Sequence, residues 1–538
     1  MNTIDLIIIL FCIVAGAALS VISYISEKVK NRKWRFLYLI PFFACLIGVL
    51  LAGFDKALLP ICIGAILTLE GFITNNRKQR LMDSVILIAL SLVSLILTLT
   101  MPSYRVPEYV QNFNNTVDVL EDKYVLTKHK DIDFESLRAE FTPRFAEAEK
   151  NKDEAMNATL WIEFASRFHD GHVGYGASDD ILESALDNIC GNDFGFATIK
   201  LSDGRFVAVN TDSNYVPFGN GTEILSIDGI TPEEIVRDRI LPLAQPVLEN
   251  ELFYKSLMAG GSFSDEISVV YMDENSNEQS ISLSKIGHYY ERFMDTLDIV
   301  DDGVNIGTTT FTETDDHTCL YRIKQMSTDT KSYGKSNYPV LHEDFRNALE
   351  EYKARGFDKL IIDLRKNSGG DPFFDIALVS LLAPEGEHYI CSSGVLDETT
   401  NRFIKDENGD YIVGESLTYT GENVWGDRKI VILTNGECVS AGDDFIHMMK
   451  EFPNVTVVGF TCSNSSCQAV SSIAISDNES FSFSAVPHLN RDGSTYIDTS
   501  SDRQSGVGID IIVPMTEEAV KAIFDEGRDY VLEYVSGI

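Results

Sequence analysis

The sequence predicts a multi-domain protein: four transmembrane α-helices, then an α+β extracytoplasmic part that closes in an α/β layer. Three observations predict it. Four apolar runs occupy the first 102 of 538 residues. Helical periodicity then gives way to short alternating runs between about residues 104 and 290. From about residue 300, β-like apolar runs alternate with helix patterns, as in parallel sheets whose strands are joined through helices.

The apolar runs are Leu6 to Ser23, Leu37 to Phe54, Ala57 to Ile73 and Val85 to Met101. Each approaches the roughly 20 residues that a helix needs to cross about 30 Å of hydrocarbon. Lys28, Lys30, Arg32, Lys33 and Arg35 follow the first run, and Arg77, Lys78 and Arg80 follow the third. Basic loops stay in the cytoplasm, so both termini are expected outside a cell membrane that the chain crosses several times. Met1 to Asp5 carry no positive charge, against a cleaved signal peptide.

Four segments follow: 1–102, the membrane region; 103–190, helical; 191–295, β-rich; and 296–538, an α/β core. Trp161, Phe164, Ala165 and Phe168 recur at i, i+3, i+4 and i+7 on one helix face, with Gly171 expected as the left-handed cap. Arg205 to Val209 and Ile267 to Tyr271 alternate like strands. Lys359 to Leu364, Lys429 to Thr434 and Val455 to Gly459 are the clearest apolar strands of the core.

With 81 acidic and 44 basic residues, the net charge is −37. All of the excess lies beyond residue 102, and no basic face exists for nucleic acid. Of nine cysteines, Cys12, Cys45 and Cys62 fall in the apolar runs. The other six permit disulfides in an oxidising compartment, and Cys462 and Cys467 are near enough in sequence to pair. No Cys/His cluster has zinc-site spacing, so no metal is expected.

Three motifs sit at element ends. Asp363-Leu364-Arg365-Lys366-Asn367-Ser368-Gly369-Gly370-Asp371 runs from a strand through a glycine pair to a helix beginning near Pro372, which suits an oxyanion site or a plain strand–turn–helix. Cys438-Val439-Ser440-Ala441-Gly442-Asp443-Asp444 sets a serine on a tight turn before a helix. Ser440 there reads either as a nucleophile or, with Asp443, as a capping box. His169-Asp170-Gly171-His172 follows the aromatic helix, and its histidine is either a general base or a satisfied polar group.

Taken in this order, the motifs resemble the C-terminal-processing (tail-specific) serine peptidase family, including its tricorn branch. Ser505-Gly506-Val507-Gly508-Ile509-Asp510 resembles the family's G-V-x-P-D stretch, with Ile509 in place of proline. Gly221 to Gly229 (GTEILSIDG) resembles its PDZ-like segment. The resemblance covers roughly residues 105–530 and implies a crotonase/ClpP-like α/β protease core. It also implies Ser440 as nucleophile, with the Ala441 N–H and the Gly369–Gly370 turn as oxyanion donors. The family's lysine-base version is absent, because no lysine lies between Lys450 and Lys521. The histidine version, as in tricorn, implies His172 as the base. Its acidic partner falls on Asp502, or alternatively on Asp498, because Arg503 stands where the acid is expected.

These implications describe a membrane-anchored, extracytoplasmic serine endopeptidase that cleaves peptides or unfolded protein segments through a Ser/His acyl-enzyme, with no cofactor and no nucleic-acid partner. The alternative is a non-catalytic peptide- or hydrophobic-ligand-binding protein on the same scaffold, serving as a receptor for the membrane region.

Overall fold

The computed structural model describes residues 77–100, 108–241, 248–300, 310–327, 338–463, 467–498 and 507–537, with isolated positions before residue 77. The chain divides into two compact units, Met1–Glu108 and Tyr109–Ile538.

The first unit contains helix α1, Arg77–Thr100. Among the described residues no helix is long and apolar enough to cross a membrane, which overturns the four-span expectation. The fourth predicted span lies in α1. Its buried side chains include Asp83, Ser84, Leu87 and Ser91, a stripe at about one-turn spacing that mixes polar with apolar residues. Ser91 turns its hydroxyl back onto the Leu87 carbonyl, at 2.7 Å. Hydropathy counts apolar residues without seeing which face is packed, and that is where the expectation failed. Leu6–Ser23, Leu37–Phe54 and Ala57–Ile73 lie, isolated positions aside, outside the described residues.

The second unit begins with helices α2 (Tyr109–Lys123), α3 (Phe134–Asn151) and α4 (Glu154–Ser166). Asp133 caps α3 by accepting the N–H groups of Glu135 and Ser136, and Asp153 caps α4 through Met156 N–H. Phe113, Phe141, Phe145, Trp161, Phe164 and Phe168 are fully buried between these helices. The helix is capped at Arg167 in a right-handed conformation, and the first left-handed residue after it is His169, with φ 48°, not Gly171. Strand β1 (Gly174–Gly176) and helix α5 (Asp179–Cys190) follow.

A β-rich stretch comes next. Strands β2 (Ala197–Lys200) and β3 (Phe206–Val209) form a hairpin, and β4 (Ile224–Ile227), β5 (Glu266–Met272) and β6 (Glu278–Ser284) form a three-stranded sheet. Asp228 and Gly229 after β4 both take positive φ, as a two-residue hairpin turn requires. Helix α6 (Tyr289–Val300) leads to the core.

The core is a six-stranded sheet. In chain order its strands are β7 (Thr310–Glu313), β8 (Thr318–Arg322), β9 (Lys359–Asp363), β12 (Lys429–Leu433), β13 (Val455–Gly459) and β16 (Ile511–Ile512). In space they run β16-β13-β12-β9-β8-β7, parallel except for β7. Helices α7 (Tyr338–Ala354), α8 (Pro372–Leu382) and α9 (Ala441–Lys450) join it. All three apolar runs singled out in the sequence are parallel strands of this sheet. Leu360 and Ile362 pack on the side of Leu378 and Phe445, whereas Ile361, Val431 and Leu433 pack with Val531 and Val535. Both faces are therefore covered, and the strands need apolar residues at every position.

Between β9 and β12 lie the antiparallel partners β10 (Gly386–Gly394) and β11 (Val413–Gly421). Beyond β13, β14 (Ala469–Ala474) pairs with β15 (Ser480–Val486), and β15 pairs in turn with β1. Phe481 and Phe483 of β15 drop into the aromatic core of α2–α4. Burying each ring contributes about 1.5–3 kcal/mol. A C-terminal strand thus completes the N-terminal helical core and carries the His172 segment toward the sheet.

Candidate active site

Strand β9 ends at Asp363, and the chain must turn sharply to enter α8. Arg365 is buried there in ion pairs with Asp363 (2.8 Å) and Asp529 (2.7 Å). Asn367 is fully buried and spends every polar atom on the turn. Its Oδ1 accepts Gly369 N–H at 2.9 Å, its Nδ2 donates to Ile323 O at 2.7 Å, and its carbonyl accepts Val439 N–H at 3.0 Å. Gly369 and Gly370 take φ of 73° and 144°. Met326 N–H donates to Gly369 O, and Asp371 N–H to Met326 O, which clamps the glycine pair from outside. A methyl group at Gly370 would lie 2.2 Å from the Met326 carbonyl oxygen. Gly370→Ala is therefore expected to destabilise the protein by roughly 3 kcal/mol or more. A urea unfolding curve checks this; an unchanged midpoint would show that the clamp yields freely.

Strand β12 feeds the second turn. Ser440 sits at φ 59°, ψ −120°, a backbone conformation that side-chain-bearing residues avoid. Its side chain makes no cap hydrogen bond to α9, so the capping box with Asp443 does not form. Asp443 is buried instead. The Ser440 carbonyl accepts Asp444 N–H at 3.0 Å and the Cys467 thiol at 3.4 Å. A methyl at Gly369 would lie 2.7 Å from Ser440 Cβ and 3.2 Å from Ala441 N, which places the two turns against each other. Among the described residues no acceptor takes the N–H of Gly370 or of Ala441. The Gly369 N–H, by contrast, is consumed by Asn367.

His172 reaches the same region from the N-terminal side. Asp170 is fully buried and accepts His172 N–H at 2.9 Å, Ser484 Oγ at 2.7 Å and Tyr124 Oη at 3.1 Å. That Asx turn fixes the histidine backbone. The ring is half-buried, and its Nδ1 has no hydrogen-bond partner. Burial pushes the His172 pKa down, while the Asp170 charge and the Gln468 backbone act in the opposite direction. His488 stands close enough for its own pKa, lowered mainly by burial, to be depressed further by His172. Its main-chain N–H donates to Gln468 Oε1 at 2.6 Å, and its Nδ1 bonds the Cys467 carbonyl at 2.5 Å. Cys467 and Gln468, adjacent in sequence, thus touch the serine turn on one side and the histidine on the other. The geometry includes no direct Ser440–His172 hydrogen bond.

Residues 318–513 match the family model described as Peptidase family S41. That segment is similar to the serine peptidases of family S41. The match contains the Gly369–Gly370 turn and Ser440 but begins well after His172. Two solved structures, mature CPAF complexed with lactacystin and mature CPAF alone, are each 14% identical to this chain with a TM-score of 0.54. Each match covers 80% of this chain, and 97% and 95% of theirs. At this identity the likeness is one of fold. The photosystem II D1 C-terminal processing protease is 14% identical over 79% of this chain and 99% of its own, with a TM-score of 0.34. No curated protein matches the sequence.

The expected acidic partner of the site is Asp502 or, alternatively, Asp498. Asp498 pairs with Lys130 at 2.7 Å, both side chains fully buried. Asp502 lies outside the described residues. Asp170, which the sequence reading quoted without giving it a role, is the carboxylate beside His172. Its signal was the two-residue spacing to the histidine. Behind Ser440, burial raises the carboxyl pKa of Asp444 to about 6 and pushes those of Asp375 and Asp443 well above the usual range. Cys190, Cys319, Cys391, Cys438 and Cys467 are free thiols, so the Cys462–Cys467 pairing does not form. Among the described residues no side-chain cluster suits a metal ion.

Proposed function

We propose that this S41 peptidase is an endopeptidase that cleaves peptides or unfolded protein segments through an acyl-enzyme on Ser440, with His172 as general base, the tricorn-like arrangement. The single observation that carries the reading is Ser440 itself. It holds a strained backbone on a strand-to-helix turn and declines its local capping bond, and among the described residues no acceptor takes the N–H groups of Ala441 and Gly370 beside it. Strain kept at one residue and unspent donors next to it are what an acyl-transfer site needs.

In the proposed cycle Ser440 Oγ attacks the scissile carbonyl as His172 takes its proton. The oxyanion is held by Ala441 N–H and by Gly370 N–H, rather than by the committed N–H of Gly369. His172 returns the proton to the leaving amine, then activates water for deacylation. Asp170 positions the histidine through its backbone turn. The β4–β6 sheet, in the PDZ-like place of the resemblance, would take an extended peptide along an edge.

Incubating the full chain with a mixed peptide library and reading new termini by mass spectrometry tests this. Cleavage is expected with the native protein and not with Ser440→Ala. Persistent cleavage by a folded Ser440→Ala protein would place the nucleophile elsewhere.

A further inference from the structure

Strand β14 leads away from the site as an open edge. Cys467, whose thiol bonds the Ser440 carbonyl at 3.4 Å, and Gln468, whose backbone neighbours His172, run directly into it. One side of β14 pairs with β15, and among the described residues its other side pairs with nothing. Its residues, Ala469-Val470-Ser471-Ser472-Ile473-Ala474, include no charge and no proline, and all but Ile473 are exposed. Proteins ordinarily guard such an edge with a charge, a proline or a covering element, because its unpaired N–H and C=O groups take up any extended chain. Here a chain of net charge −37 leaves an uncharged edge bare, beginning beside the proposed nucleophile.

The far end of β14 is acidic. The chain turns back into β15 through Glu479, which meets Glu149, Asp153 and Glu154 of the helical region. Tyr109, packed on the same aromatic core as Ile473 and Ile475, senses all four: burial, and then the charges of Glu154, Glu479, Asp153 and Glu149, push its phenol pKa up to about 12. Among the described residues no lysine or arginine forms an ion pair with any of them. Asn157, only 2% exposed, donates its amide to Glu479 at 3.2 Å and leaves its own Oδ1 without a donor. Acceptors therefore outnumber donors at this end, in the buried layer as at the surface, and a lysine or arginine side chain brings donors alone. At about 3.3 Å per residue, an extended peptide lying along β14 reaches these carboxylates roughly six positions from the scissile bond.

From this arrangement we infer that β14 and the carboxylates at its end form an exosite for the substrate: an extended segment pairs along the edge and sets a lysine or arginine among Glu149, Asp153, Glu154 and Glu479. The inference rests on the peptidase reading of Ser440, and its test separates the two. Binding is measured by fluorescence anisotropy on full-length Ser440→Ala, which keeps the surface and lacks the nucleophile. The probes are fluorescein-labelled decapeptides of alanine and serine that carry a single Lys or Glu at successive positions. Lys at one position, or at two neighbouring ones, is expected to bind about 10-fold more tightly than Glu there at low salt, and the difference should shrink at high salt. Adding Glu154→Lys, an exposed position in the first turn of α4, should cancel the preference. Alternate residues of an edge strand turn their N–H and C=O groups outward, so methylating every second backbone nitrogen of the best probe should abolish binding in one phase and spare it in the other. Equal binding of the two methylated phases would overturn the edge pairing. A preference for Lys that survives Glu154→Lys in a protein of unchanged melting temperature would overturn the acidic end. Turnover by the protein with Ser440 intact reports on the peptidase reading separately.

Discussion

Ser440→Gly is expected to yield a protein that is more stable than the native one and inactive. At φ 59°, ψ −120° Ser440 occupies backbone space open to glycine but costly, by about 1–3 kcal/mol, for a residue with a Cβ. Glycine removes that strain and adds roughly 0.5–1 kcal/mol of unfolded-state entropy, leaving a net gain of about 1 kcal/mol. Removing Oγ removes the nucleophile, for which a loss of at least ~10⁴-fold in kcat/KM is expected. Urea unfolding and peptide cleavage measured on the same preparation check both halves. Lower stability in the glycine variant would mean that the serine side chain supports its turn; retained cleavage would remove Ser440 from the mechanism.

For the native enzyme, kcat/KM should rise with pH along an acid limb centred below 6.5. Burial lowers the His172 pKa from the ordinary 6.5, so the neutral ring that can accept the serine proton persists into mildly acidic solution. Asp170 and the Gln468 backbone work against this shift without reversing its direction, and His488 nearby resists a second proton. His172→Ala should lower kcat/KM by about 10³–10⁴-fold and flatten the acid limb. The sign for stability is the same: with the folded pKa depressed, the unfolded chain binds the proton first, so stability present above 6.5 is lost as pH falls. A limb centred above 6.5, or one unchanged in His172→Ala, would show that another group is titrating.

Much of the core was legible because its signals are local. The apolar runs from Lys359, Lys429 and Val455 could only be strands covered on both faces, and the glycine pair and Ser440 fall where such strands must turn. The aromatic face of α4 followed from i, i+3, i+4 spacing. What escaped depends on residues far apart in sequence. Nothing near His172 announces Phe481 and Phe483, yet those rings bring its segment to the sheet. The Lys130–Asp498 ion pair joins the helical region to a distant loop, so neither residue's neighbours announce it. The membrane expectation failed for a different reason: α1 is apolar in composition, but its buried stripe runs through Asp83, Ser84 and Ser91. The left-handed residue after this helix is His169 rather than Gly171, and Asp170 follows it to accept the His172 N–H.

The docking of Phe481 and Phe483 into the first helical core also sets when the enzyme can work. During synthesis α2–α4 and the His172 turn leave the ribosome long before Ser440, and they wait with an aromatic core that lacks two of its rings. Only after residue 483 has emerged can that core close, and only after residue 498 does Lys130 gain its counter-charge. Hydrolytic capability therefore arises late in translation rather than gradually. Chains that terminate early, even those already carrying both Ser440 and His172, should be born unable to cut their neighbours.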